Sequence, residues 1–484
     1  MCAEEEANVD QRRIDALRAA REGQLDRARP EVVGRVHAGG RLTARERVEA
    51  LLDAGSAVEY GGIAARTAEG DWIAEAGGVD FVGTVGGRTV IASSTDATDK
   101  GGGYGAGRLP RLFALADQYG WPMVLFVDGG GSRARHPRVG LGHIETTGAI
   151  GPFNLFDGIS ELSGRVPTVA IVSGPAFAGH ASLAGFSDVV ITTPGSAIGM
   201  GGPPMVEAAL GKKLTPNELA GVEMHDLTGG IDLLVADESA AIDVARRYLA
   251  FLGDEPAGVA SASADRIAAL VPDEGPYDVQ SVIEALVDVD SVLELRRNFA
   301  RSVVTVLARI DGRTVGVVAS QPLVDDGAID EAAATKVGRF VELCDAYDYP
   351  LVALVDTPGC VIRRADPNGG ADSLEPGITR WHTRVLLAHH HRTVPVVSVR
   401  LRRGRGLGAA VLGGLHTGRT ISLAAYGWPT VEVGRPDGFG VVYDHNVFDD
   451  VIDPAETRAR ISALLARVPA PPTQGRKKHP VDTW

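Results

Sequence analysis

Apolar residues in this chain come in continuous runs more often than in alternation, which marks strands buried on both faces. Such runs are VGGRTVIASS at 85–94, PTVAIVSG at 167–174, IDGRTVGVVA at 310–319 and PVVSVRLR at 395–402. Between them lie helix-period stretches. RLPRLFALADQYGWPMVLFVDGGG at 108–131 reads as an amphipathic helix, a proline-marked turn, an apolar strand and an aspartate in a glycine turn. RFVELCDAYDYPLVALVDTPG at 339–359 reads the same way. Strands alternating with helices predict βαβ units in an α/β fold.

The runs pair off. The segment 85–94 matches 310–319, 108–131 matches 339–359, and 167–174 matches 395–402. The interval from Asp128 to Asp356 equals that from Pro167 to Pro395. A weaker fourth pair is GIDLLV at 230–235 and VIDPAE at 451–456, each leading into a helix. The chain therefore holds two copies of one unit. The Gly-, Pro- and Ala-rich stretch 253–277 is the expected linker, giving domains over 1–252 and 278–484. Residues 1–60 are charged and expected to be helical, with Thr43-Ala44-Arg45-Glu46 as a capping box. The end, 470–484, is expected to be an extended tail.

Composition narrows the chemistry. Over 484 residues, 48 Lys and Arg against 62 Asp and Glu leave a net charge of −14, against a general nucleic-acid binder. Three cysteines, none in a C-x-x-C pair, predict neither a disulfide framework nor a cysteine zinc site. No apolar run reaches the ~20 residues of a membrane span, and the N-terminus lacks signal-peptide order. A cytoplasmic protein is expected.

In open parallel sheets, ligands bind beyond the carboxyl ends of the strands, and glycine clusters mark those ends here. In the first copy they are Asp128-Gly129-Gly130-Gly131-Ser132-Arg133 and Gly174-Pro175-Ala176-Phe177-Ala178-Gly179-His180. In the second they are Asp356-Thr357-Pro358-Gly359 and Arg403-Gly404-Arg405-Gly406-Leu407-Gly408-Ala409. Small residues before a helix expose peptide N–H groups at its positive end, where two donors can form an oxyanion hole. The same glycines would also serve close helix–strand packing alone.

Other features are less specific. Gly101–Gly107 is glycine-rich without the Gly-Lys-Ser/Thr of a phosphate loop and reads as a loop over a pocket. His389-His390-His391 diverge around a helix, so a solvated helix end is expected and not a metal site. Arg400, Arg402, Arg403 and Arg405 are either surface charge or an anion clamp. No Gly-x-Ser-x-Gly elbow stands at these turns, which leaves a serine hydrolase without support.

The segment 305–359 resembles the second half of an acyl-CoA carboxylase carboxyltransferase (beta) subunit. GRLTARERVEALLD at 40–53, GPAFAG at 174–179, YGWPTVEVG at 426–434 and RKKHPVDTW at 476–484 match other stations of that family. The resemblance implies tandem duplicated crotonase-like (ClpP/crotonase) β-β-α superhelix domains, assembled as a homo-oligomer, usually a hexamer. It implies that carboxybiotin on a separate carrier protein, supplied by a biotin carboxylase subunit, donates its carboxyl group to the α-carbon of an acyl-CoA. Backbone N–H groups would hold the thioester enolate and the biotin ureido oxygen, without a side-chain base or a metal.

By position, Ala178 and Gly179 stand at the family's first oxyanion pair, and Leu407 and Gly408 at its second. Gly130, Gly131, Gly359, Ala410 and His180 are expected to line the substrate. The chain departs from the common pattern in a way that suggests a divergent branch. Gly406-Leu407-Gly408-Ala409-Ala410 replaces Gly-Gly-Ala-Tyr-Asp, so Ala410 stands for the acyl-selecting aspartate. Phe177-Ala178-Gly179-His180 replaces Ala-Gly-Gly-Ala, and His180 could act on substrate or only bond the backbone. Two further readings use the same residues: a biotin-independent acyl-CoA decarboxylase or related enzyme, and a non-catalytic scaffold of a carboxylase complex.

Overall fold

A computed structural model describes residues 2–66, 72–74, 77–99, 102, 108–130, 155–255, 258, 264–361, 375–413, 422–432, 448–469 and 479–483. The chain divides into two compact units, Met1–His225 with Leu234–Leu249, and Asp226–Leu233 with Ala250–Trp484.

In the first unit the sheet runs in the order Val58–Tyr60, Gly78–Val85, Arg88–Thr95, Met123–Phe126, Thr168–Val172, Val189–Thr192. Neighbours are antiparallel up to Arg88–Thr95 and parallel from there on. The sheet is thus mixed, where the repeat pattern alone pointed to parallel units. The reason is local: Gly86 and Gly87, at φ +56° and +78°, close a two-residue hairpin that turns the chain straight back.

The second unit repeats the plan in the order Leu293–Leu295, Val303–Ile310, Arg313–Ser320, Leu351–Thr357, Val396–Gly404, Ala424–Gly427, Asp450–Val451. Asp311 and Gly312, at φ +50° and +78°, make the matching hairpin. Met123–Phe126, Thr168–Val172 and Leu351–Thr357 are buried at every position, as their continuous apolar runs require. The core of this unit packs Val304, Val306, Val317, Leu354, Val399 and Trp428 against Val282, Ile283 and Leu286 of the helix Val279–Leu286.

The duplication reaches further back than the apolar runs suggest. VEALLDAGSAVEY at 48–60 corresponds to IEALVDVDSVLEL at 283–295. Asp53 accepts the N–H groups of Gly86 and Gly87 at 3.1 and 2.9 Å, and Asp288 those of Asp311 and Gly312 at 3.0 and 2.8 Å. Each carboxylate also receives an arginine from its unit's last helix. Arg246 Nη2 donates to Asp53 at 3.1 Å, and Arg458 Nη2 to Asp288 at 2.6 Å. The Gly87 amide, with the other donors, holds the Asp53 carboxyl well below the usual carboxylate range. Thus 48–60 repeats 283–295, and the segment expected to be helical to residue 60 ends in the strand Val58–Tyr60.

The capping box forms as expected: Thr43 Oγ1 accepts from Glu46 N–H at 3.1 Å, and Glu46 Oε2 accepts from Thr43 N–H at 2.8 Å. Most of the expected tail lies outside the described residues. Within 479–483, His479 Nε2 meets Asp345 Oδ2 at 2.9 Å, and Asp482 N–H donates to Glu342 at 2.9 Å, so this part is docked.

Candidate functional site

The first glycine turn is built at the end of Met123–Phe126. Asp128 N–H donates to Thr95 Oγ1 at 2.7 Å, and Gly129 N–H to Pro175 O at 2.7 Å. Phe177 N–H returns to Gly129 O at 3.0 Å, fixing the strand Pro175–Phe177 alongside. The helix Gly179–Phe186 follows at once. Ala178 caps it at φ +53°, ψ −118°, a conformation costly for a residue with a Cβ.

The second turn repeats these bonds. Asp356 N–H donates to Ser320 Oγ at 2.7 Å, and Arg405 N–H to Thr357 O at 3.2 Å. The helix Gly406–Val411 begins with Gly406 at φ +53°. By register, then, Gly406 corresponds to Ala178, Leu407 to Gly179, and Gly408 to His180.

Of the four residues expected to donate, Ala178 is engaged within the fold. Ala178 N–H is not available, because it donates to Gly199 O at 3.0 Å in the ladder with Ala197–Gly199. Gly179, Leu407 and Gly408 occupy the first turns of their helices, where N–H groups have no intrahelical acceptor. Gly179 is half-exposed, and a Cβ there would have only Phe156 Cζ near it, at 3.9 Å. Gly408 is buried, and a Cβ there would come within 2.7 Å of the Gly359 backbone. Gly359 itself sits at φ +116°, with its N–H held by Thr357 Oγ1 at 3.2 Å. Gly130 is exposed beside the first turn, Leu407 is exposed at the second, and Ala410 points into the unit's interior at 4 % exposure. Gly131 lies outside the described residues.

The turn aspartates are buried, and each meets a guanidinium. Asp128 Oδ2 receives Arg47 Nη2 at 2.6 Å. Arg47 also binds Ser173 Oγ at 2.9 Å, and its Nε meets Glu238 Oε1 at 3.0 Å. In the second copy Asp356 takes Arg402 Nε at 2.7 Å and Arg403 Nε at 2.8 Å. Arg405 pairs with Glu432 at 2.7 Å, and Arg400 lies over the Phe448 ring at 4.8 Å. Arg402, Arg403 and Arg405 are thus engaged within their own unit, Arg402 nearly out of solvent, and form no anion clamp. The Arg47–Asp128–Glu238 cluster leaves no signal in the sequence, since its members lie 81 to 191 residues apart.

His180 is 3 % exposed, and its Nε2 bonds Gly102 O at 2.9 Å. Burial pushes its pKa down, against the opposing pull of the Gly102 carbonyl and the Asp128 carboxylate. The histidine run is only partly the expected solvated helix end. His390 and His391 are exposed, but His389 is buried and bonds Val411 O at 2.9 Å while its Nδ1 faces Arg392 Nη1 at 2.8 Å. Burial, helped by Arg392, pushes His389 down to about 4. Of the loop 101–107 only Gly102 is described, at φ +75° against Asp128 O. Among the described residues no cluster of His, Cys, Asp and Glu could hold a metal ion, and no helix is long and apolar enough to cross a membrane.

Comparison with known proteins covers most of the chain. Residues 35–443 match the carboxyl transferase domain family. The chain is 31 % identical to the methylmalonyl-CoA carboxyltransferase 12S subunit of Propionibacterium freudenreichii subsp. shermanii, covering 92 % of each. It is 32 % identical to the biotin-dependent acetyl-/propionyl-coenzyme A carboxylase beta5 subunit of Mycobacterium tuberculosis, over 89 % of this chain and 81 % of that one. Among solved structures, a transcarboxylase 12S hexamer with methylmalonyl-coenzyme A bound superposes with a TM-score of 0.81 at 29 % identity, over 97 % and 98 % of the two chains. A single-chain, multi-domain long-chain acyl-CoA carboxylase superposes with a TM-score of 0.80 at 32 % identity. That match takes in 93 % of this chain and 48 % of the longer protein, about half its length.

Proposed function

The chain belongs to the carboxyl transferase domain family, an enzyme family of carboxyl transfer, and on that premise we propose that it carboxylates the α-carbon of an acyl-CoA, drawing the carboxyl group from carboxybiotin on a partner protein. The observation that carries this is the pair of turns. Each ends a buried strand on an aspartate fixed by arginine and opens a short helix whose first N–H groups have no intrahelical acceptor.

Removing the α-proton of a thioester puts negative charge on its carbonyl oxygen, so the transition state is stabilised by donors already aimed at that oxygen. Gly179 supplies such a donor at the first turn, and Leu407 with Gly408 supply donors for a second oxygen at the second turn. The residues just before them are held by backbone bonds, Phe177 and Ala178 in one turn and Arg405 in the other, so little reorganisation is needed as charge develops. At Gly408 the close Gly359 backbone shapes the floor of the second turn.

The residues fit a ureido oxygen because that group needs only hydrogen-bond donors, which the Leu407–Gly408 turn offers. Bound biotin would supply the activated carboxyl group and, at the ring nitrogen freed when that group leaves, the acceptor for the α-proton. The chain's own contribution is to orient two oxygens with backbone donors. His180, pushed down by burial and turned to a carbonyl, is not a base. The biotin is proposed to reside on a separate carrier, and the protein to act as a homo-oligomer like the 12S hexamer it resembles.

The test is reconstitution. With a carboxylated biotin carrier and labelled bicarbonate-derived carboxyl, the protein should label acetyl-, propionyl- or long-chain acyl-CoA. An avidin blot after purification from the native host should show a co-eluting biotinylated subunit. Failure to label any acyl-CoA with a competent carrier would overturn the reading.

A further inference from the structure

The two turns fill the space at the helix start differently: the His180 ring lies against Gly129 in the first, and the Gly359 backbone lies against Gly408 in the second. Gly129 and Thr357 are equivalent strand-end positions, and His180 and Gly408, separated by the same interval, are equivalent positions in the following helices. The first copy is small at the strand end and large in the helix. The second is large at the strand end and small in the helix. A Cβ added to Gly129 would overlap the His180 imidazole, with Cδ2 at 2.8 Å, so the ring occupies the volume a side chain at 129 would need. In the second copy the Thr357 hydroxyl accepts the Gly359 N–H at 3.2 Å and so holds its own turn. Gly129 has no hydroxyl to do this.

His180 makes a different tie, from the helix side. Its Nε2–H donates to Gly102 O at 2.9 Å, the tautomer being set by the carbonyl acceptor. Gly102, at φ +75°, lies so close over the strand end that a Cβ would stand 2.6 Å from Asp128 O. His180 directly follows Gly179 in the helix. One imidazole therefore links the loop at 102, the strand end at 129 and the helix start at 179.

We propose that His180 is a positioning residue, which orients the Gly179 turn by filling the space against Gly129 and holding the Gly102 carbonyl. It acts through Gly179 and exchanges no proton with substrate. This rests on the assignment of that turn to carboxyl transfer, but the steric exchange can be read without it.

The experiment is an exchange cycle in the full-length protein: His180→Ala, His180→Gln, Gly129→Thr, His180→Gly, and the double variant Gly129→Thr/His180→Gly. Each is assayed for acyl-CoA carboxylation with a carboxylated biotin carrier and for thermal unfolding. His180→Ala should lower kcat about tenfold with the KM for acyl-CoA within about twofold, the mark of an interaction made at the transition state. His180→Gln, which keeps a donor within reach of Gly102 O, should recover most of that loss. Gly129→Thr and His180→Gly should each lose more, while the double variant, which copies the second turn, should return to within about threefold of the parent. Strong non-additivity is what a shared volume requires. A double variant no better than its worse parent, or an unchanged kcat in His180→Ala, overturns the proposal. If the parent itself transfers no carboxyl group, the functional reading fails separately. The melting cycle then decides: non-additive unfolding temperatures support the exchange, and additive ones overturn it.

Discussion

Ala178 and Gly406, equivalent positions of the two copies, share a φ of +53° at the start of their helices. Glycine adopts this conformation freely, whereas alanine carries a Cβ into a region L residues avoid. Strain of this kind costs roughly 1–3 kcal/mol and persists only where the surroundings impose it. Here they do: Phe177 N–H and Ala178 N–H are both bonded, to Gly129 O and Gly199 O.

Ala178→Gly should therefore stabilise the protein by about 1 kcal/mol, read as a raised unfolding temperature. Turnover should change little, because the Ala178 N–H is spent in the ladder with Gly199. A large loss of turnover without loss of stability would assign Ala178 a direct part in the chemistry.

The two glycines of the turns should respond differently to the same change. Gly179→Ala adds a methyl group to open space and should fold normally, with activity reduced only modestly. Gly408→Ala pushes a methyl group into the Gly359 backbone at 2.7 Å and should displace the second turn. Its turnover should fall on the order of a hundredfold, as when one oxyanion donor is lost. Equal effects from both would contradict the close approach of Gly359 to Gly408.

Leu407→Pro removes a single N–H at the second helical position, where proline is tolerated. Turnover should drop on the order of a hundredfold with the unfolding temperature nearly unchanged. An active Leu407→Pro variant would show that this donor is not used.

His389 gives stability a pH dependence. Its folded-state pKa of about 4 lies below the unfolded value near 6.5, so between these the unfolded chain binds the extra proton. Stability conferred by the neutral ring is therefore complete above pH 6.5 and lost as pH falls toward 4. The loss reaches about 3 kcal/mol in denaturant titrations. His389→Gln should flatten that slope, and an unchanged slope would place its origin elsewhere.

The two hairpin aspartates should prove equally costly to remove. Asp53→Ala or Asp288→Ala leaves two turn N–H groups and an arginine without their carboxylate. Each should cost about 2–3 kcal/mol, measured by chemical unfolding, with little change in KM. A negligible effect in either unit would break the equivalence of the two copies.

Much of this is written in the chain. Continuous apolar runs specify the buried strands, since a strand covered on both faces needs apolar residues at every position. The equal interval from Asp128 to Asp356 and from Pro167 to Pro395 discloses the duplication, and a Thr-x-x-Glu pattern places the start of one helix because capping is a local bond. The glycine turns are visible as candidates, and so is the likeness to carboxyltransferase subunits. The extra stretch of the repeat, 48–60 against 283–295, is equally legible once aligned, but its short strands lack the long apolar runs that draw attention to the rest.

Only the tertiary structure settled which groups in those turns are engaged. A backbone N–H looks the same in any sequence, and whether Ala178 donates to Gly199 depends on a strand that lies beyond the intervening helix. The arginines at 400–405 read alike as letters, yet Asp356 buries one and Glu432 keeps another at the surface. Asp128 and Glu238 both find Arg47 through folding alone, because burial makes a lone carboxylate costly and packing brings the partner from a distant segment. Sequence determines what can be buried and where the chain can turn, since those are local properties. Which donor meets which acceptor is decided by distances that exist only after the chain has closed.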